Sequence, residues 1–136
     1  MNPREFINTI YLGDRFCKSI LIDGYNERVK IQINMISRIR SASGNWEYYN
    51  DENLEDGLIV FTGVKSISLE PKGFIPNDEI ELVNAEPIEG DEAKFLFNIL
   101  AASCDQQGKY TKVEVSILAE GIHLEDPTKP DVRIQD

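Results

Sequence analysis

From Arg28 the chain alternates, with Val29, Ile31, Ile33 and Met35 standing between Arg28, Lys30, Gln32 and Asn34, and Ile39 between Arg38 and Arg40. A period of two is the signature of a strand with one buried and one wet face. Ile36 breaks the alternation and reads as a bulge. The preceding run Lys18 to Asp23 is expected to pair with this strand through a turn at Gly24-Tyr25-Asn26-Glu27, giving a hairpin. Upstream the period is helical. Asn2 can cap a helix, Pro3 suits its first position, Glu5 completes a capping box, and Phe6, Ile7, Ile10 and Tyr11 share a face until Gly13.

Further strands follow at short intervals. Leu58 to Thr62 and Val64 to Leu69 are rich in β-branched and aromatic residues, and Gly63 between them reads as a bulge or bend. After turn clusters at Pro71-Lys72-Gly73 and Pro76-Asn77-Asp78, the residues Ile80, Leu82, Val83 and Ile88 form an edge strand carrying Pro87. Ala93 to Ala102 is apolar on both faces and is expected to be covered on both. The turn at Asp105-Gln106-Gln107-Gly108 leads to Lys112 to Glu120, where Val113, Val115, Ile117 and Ala119 alternate with polar residues. No helical crossovers separate the strands, which argues against a parallel α/β sheet. The expected fold is mainly β: an antiparallel sandwich or strongly curled sheet of seven or eight strands with one N-terminal helix. It fills a single domain over residues 1–126, and residues 127–136, with no apolar period, form a loose tail.

Charge changes the picture more than composition does. Residues 1–40 hold seven bases and four acids, and residues 41–136 hold seven bases and twenty acids, so the net −10 is a local +3 followed by −13. Such a field governs association and solubility rather than fold. It disfavours nucleic acid as a partner, since most of the surface would repel phosphates. The opening residues interrupt every apolar run, leaving no signal-peptide core, and nothing later approaches the ~20 apolar residues of a membrane span. A cytoplasmic protein is expected, with no membrane partner. Cys17 and Cys104 lack CxxC spacing and read as small core fillers.

Candidate chemistry is sparse. His123-Leu124-Glu125-Asp126 sets the only imidazole beside two carboxylates, but a metal site needs three or four convergent ligands, and no serine or cysteine nucleophile is marked nearby. A histidine at a strand end, bonded to backbone, is the simpler reading. Asp51 to Gly57 is dense in oxygen ligands without the spacing of a calcium loop. No glycine-rich phosphate cradle is present. No metal, cofactor or catalytic residue is assigned.

The stretch Ser41 to Asn50 holds the only tryptophan, Trp46, and two tyrosines, Tyr48 and Tyr49, after a strand whose outer face is expected to carry Arg28, Lys30, Arg38 and Arg40. Aromatics and arginine are the residue types enriched in binding hot spots. Trp46 and Tyr49 could equally fold back as a cap on an open end of the sandwich.

The segments Ile36 to Ser41, Gly44 to Tyr49, Gly57 to Val64 with Ser66-Ile67, and Ile122 to Pro127 together resemble a small bacterial family of uncharacterised proteins. In general character that family is similar to acidic, single-domain immunity proteins that neutralise secreted bacterial toxins. The resemblance supplies no functional residue.

Charge and resemblance lead to the expectation of a non-enzymatic protein-interaction module, an immunity or inhibitor protein that occludes a basic partner such as a secreted toxin. The expected contact residues are Trp46, Tyr48, Tyr49, Asp51, Glu52, Glu55 and Asp56. The alternative is a β domain that binds a small anion or metabolite through Arg38, Arg40, Trp46 and Tyr48.

Overall fold

The computed structural model describes residues 1–39 and 53–136. The capping box forms as the sequence predicts: Oδ1 of Asn2 accepts from the Glu5 N–H at 2.9 Å and Oε2 of Glu5 accepts from the Asn2 N–H at 3.0 Å. The resulting helix α1 (Pro3–Ile7) stops at Asn8, so Ile10 and Tyr11 leave it for a strand. In chain order the strands are β1 (Ile10–Tyr11), β2 (Cys17–Asp23), β3 (Arg28–Ile33), β4 (Met35–Arg38), β5 (Asn53–Glu55) and β6 (Leu58–Thr62). They continue as β7 (Ser66–Glu70), β8 (Ile80–Ile88), β9 (Asp91–Cys104), β10 (Tyr110–Ala119), β11 (Gly121–Asp126) and β12 (Lys129–Ile134).

These twelve strands of the described residues form three antiparallel sheets, ordered β12-β11-β6-β3-β2, β7-β10-β9-β8 and β1-β4-β5. The fold is mainly β, and the expected seven or eight strands in one sandwich or curled sheet are too few. The reason is bending, which divides runs that read as continuous. At Asn34 and at Asp56-Gly57 the β3–β6 ladder breaks and continues as β4 and β5, held across the break by Asp56 N–H to Asn34 O at 3.0 Å and Ile33 N–H to Gly57 O at 2.9 Å. Ile36 is therefore no bulge; it is a buried residue of the three-stranded sheet. The expected loose tail of residues 127–136 contains β12, which pairs with β11 through Leu124 opposite Ile134 and Glu125 opposite Arg133.

A second bend joins the two large sheets. Thr62 pairs with Gly121, and Ser66 pairs with Leu118, so β6–β7 and β11–β10 turn together from one sheet into the other. Strands that switch sheets do so through bulges or bends. Gly63, read from sequence as a bend, has φ +61°, and a Cβ placed there would lie 2.9 Å from Glu120 Cβ. Only glycine takes such a backbone angle without cost and leaves that space to the neighbouring strand.

The core lies between these two sheets. Val29, Ile31, Ile33, Ile59, Phe61 and Leu124 face Phe97, Ile99, Ala101, Val113, Val115 and Ile117, all buried. Burying each of the larger chains contributes roughly 1.5–3 kcal/mol. Cys17 belongs to this core; burial pushes its thiol up to about 11, and both cysteines are free. The opposite face of β9, expected to be covered, is only half-buried at Leu96, Asn98 and Leu100.

Candidate functional site

Of the residues that sequence reasoning assigned to binding, Arg40, Trp46, Tyr48, Tyr49, Asp51 and Glu52 lie outside the described residues. Glu55 is exposed in β5 opposite Met35. Asp56, at φ +51°, forms an ion pair with Lys18 at 2.7 Å, and its backbone oxygen accepts from Nε2 of Gln32 at 3.2 Å.

Arg38 is not where the alternation puts it. It is 0% exposed, although it was expected on a wet outer face. β4 departs from the sheet of β3 at Asn34, so the strand period does not carry through to residue 38. Its guanidinium lies 5.2 Å from the Phe6 ring centroid, and Nη2 donates to Thr9 Oγ1 at 2.8 Å and to the Asp136 backbone oxygen at 2.9 Å. Arg38 thus ties α1, the α1–β1 connection and the end of the described chain into one unit. A group so enclosed does not meet a dissolved anion.

The outer face of the five-stranded sheet carries a charged network that also departs from the sequence reading. The register sets Lys30, Val60 and His123 in one row and Gln32, Leu58 and Glu125 in the next. His123 Nε2 lies 3.0 Å from Glu125 Oε1, and Lys30 Nζ lies 3.1 Å from Glu125 Oε2. The histidine is therefore inside β11 and partnered by a carboxylate, not at a strand end bonded to backbone. Burial raises the Glu125 pKa, but the hydrogen bonds and charges of His123 and Lys30 more than offset this and hold it below the ordinary glutamate value. A carboxylate already satisfied from both sides is a fixed anchor rather than a proton carrier. Among the described residues no group of three or more His, Cys, Asp and Glu side chains converges as a metal site.

Charge is divided between the two large sheets. Over residues 66–119, the span of the four-stranded sheet, ten acids (Glu70, Asp78, Glu79, Glu81, Glu86, Glu89, Asp91, Glu92, Asp105 and Glu114) stand against four bases. The strands and turns of the five-stranded sheet, residues 17–33, 58–62 and 121–134, hold five acids and five bases. The outer face of the four-stranded sheet is ordered in rows. Glu70, Glu114, Leu100 and Leu82 make one row, and Ser68, Ser116, Asn98 and Asn84 the next. Ser116 Oγ donates to Asn98 Oδ1 at 3.1 Å and Asn98 Nδ2 donates to Asn84 Oδ1 at 3.1 Å, which ties β10, β9 and β8 together along that row. Glu70 and Glu114 face each other across the ladder, and among the described residues neither has an ion-pair partner. Like charges in directly opposed positions are destabilising. Alternation alone places both glutamates outward, but nothing in the sequence pairs β7 with β10, so this juxtaposition was missed.

At the β7 edge an open cleft of about 290 Å³ separates that strand from the β2–β3 hairpin. Ile22, Val29, Val64 and Ile67 form its apolar lining, and Ile22, though on the inner side of its strand, is 60% exposed there. Two of the charges on the rim pair with each other, and a third is hydrogen-bonded to a neighbouring amide. Lys65 Nζ lies 3.2 Å from Glu27 Oε1, and the side chain and backbone N–H of Asn26 donate to Asp23, holding its carboxyl below the ordinary aspartate value.

No helix among the described residues is long and apolar enough to cross a membrane. All of the chain, residues 1–136, matches the model of a family of unknown function (DUF6258). Neither a curated protein nor a solved structure matches it.

Proposed function

We propose that this chain, which belongs to the family of unknown function DUF6258 over its whole length, is a non-enzymatic protein-interaction module that engages a basic partner through its four-stranded sheet. The observation that carries this reading is the opposition of Glu70 and Glu114 on an outer face fixed by the Ser116-Asn98-Asn84 bonds. A partner cation between the two carboxylates would convert a repulsive row into a favourable one, and the surrounding acids would speed its approach in a salt-dependent manner. In its finer form the reading is an immunity or inhibitor protein of bacterial cytoplasm that occludes the basic groove of a secreted toxin. Trp46, Tyr48 and Tyr49 remain part of this proposal as aromatic anchors, with Asp51, Glu52, Glu55 and Asp56 adding to the acidic contact. The anion-binding alternative is weakened, because Arg38 is enclosed and engaged.

The test is affinity capture from the native cell with the parent protein and with a Glu70→Lys/Glu114→Lys variant, followed by surface-plasmon kinetics of the captured partner at two salt concentrations. The expected partner is basic, binds the parent with a salt-sensitive association rate, and is lost by the double variant. A partner held equally by both proteins would remove the four-stranded sheet from the interface.

A further inference from the structure

We infer that β7 receives an extended segment of the partner as a fifth strand of its sheet, with basic and apolar residues alternating along that segment. This rests on the interaction reading above and specifies how the partner docks.

The argument begins with what protects the other edges. Exposed strand edges invite pairing with other chains, and proteins blunt them with prolines, lysines, bulges or short strands. β8 contains Pro87 and two register shifts, α1 packs beside it, and Ile7 and Ile10 line a cleft with its Ile80 and Leu82. β12 contains Lys129 and Pro130, with a register shift where it meets β11. β2 slips register between Cys17 and Ser19, beside Lys18. β1 and β5 are two and three residues long. β7 has none of these devices: it keeps an unbroken register with β10 from Ser66 to Glu70 and holds neither proline nor lysine. Alternate residues of such a strand turn their N–H and C=O groups away from the one neighbour it has.

The surroundings define the occupant. A strand added beside β7 projects successive side chains to opposite faces. On the outer face they would arrive next to Glu70, with Glu114 one strand beyond it, a pair of carboxylates that calls for the long side chain of lysine or arginine. On the inner face they would arrive at the cleft of Ile22, Val64 and Ile67, which calls for an aliphatic chain. Backbone bonds give such docking its affinity and the alternating side chains give it specificity. A second copy of this chain is disfavoured as the occupant, because it would bring a further net −10 against an acidic face.

The experiment titrates the full isotope-labelled chain with a capped synthetic peptide alternating lysine and valine, followed by NMR. Controls are the same peptide with glutamate for lysine and the same peptide N-methylated at alternate amides. The expected result is shifts centred on the Ser66–Glu70 amides and on Ile22 and Val64, with binding at least about tenfold tighter than for the glutamate peptide. N-methylation is expected to abolish it. Equal binding of the N-methylated peptide, shifts centred on β2, or no binding would each overturn strand addition, as would shifts at Ser66–Glu70 produced by raising the protein concentration alone, which would assign the edge to a second copy. A partner that is captured normally and lost by the Glu70→Lys/Glu114→Lys variant, while no peptide marks β7, would leave the interaction reading intact and remove only this docking mode.

Discussion

Phe61 of β6 and Phe97 of β9 meet across the two large sheets with ring centroids 5.0 Å apart and planes inclined by 58°, and both are 0% exposed. A tilted contact at this distance is a favoured aromatic geometry. It fixes how the inner faces lie on one another.

Removing one ring should therefore leave a cavity that the sheets cannot close. Phe97→Ala is expected to cost ~3–5 kcal/mol, and Ile33→Ala, also fully buried, ~2–5 kcal/mol, measured by urea denaturation. A Phe97→Ala protein as stable as the parent would show that the two sheets do not pack as described.

Arg38 offers a sharper contrast between structure and binding. Loss of its charged hydrogen bonds to Thr9 and Asp136 in Arg38→Met should destabilise the fold by about 2–4 kcal/mol. A residue whose role was to bind an anion at the surface would instead leave the unfolding midpoint unchanged and weaken only ligand binding.

The bend between the large sheets should depend on Gly63. Gly63→Ala forces a side chain into positive φ and against Glu120, and is expected to cost about 1–3 kcal/mol. Gly24→Ala is the control, because a Cβ there meets nothing within 4 Å. Thermal melts of the two variants would check this, and equal midpoints would count against a strained corner.

Acid should weaken the protein in part through Glu125. Its folded pKa is depressed, so its contribution to stability is present above the ordinary value of 4.5 and is lost as pH falls through the lower folded value. Glu125→Gln is expected to flatten the fall in stability below about pH 4.5, leaving the part due to Asp23, Asp91 and Asp126, whose pKa values are also lowered. Denaturation series at several pH values would test this, and parallel curves for parent and variant would deny Glu125 the role.

Glu114→Lys should separate stability from binding. Replacing a like-charge pair by an opposite-charge pair across the ladder is expected to raise stability by about 0.2–1 kcal/mol while slowing association with a basic partner. A variant that lost both stability and binding would indicate damage to the sheet rather than to a contact surface.

Local chemistry alone determined a good part of this protein. The capping box of Asn2 and Glu5, the Lys18–Asp23 hairpin with β3, the bend at Gly63 and the edge position of the Pro87 strand each depend on interactions among near neighbours in the chain. The mainly β class follows from the same period-two runs. Only the tertiary structure decided which strand lies beside which, because side-chain alternation fixes a face but not a neighbour. That is why Arg38, outward by its period, is buried once β4 turns away at Asn34. It is also why Glu125, which holds His123 two residues away on the same strand, meets Lys30 from a strand ninety-five residues away. Glu70 and Glu114 likewise become a single feature only when β7 closes on β10: two glutamates distant in the chain have no mutual energy until the fold sets them on one row.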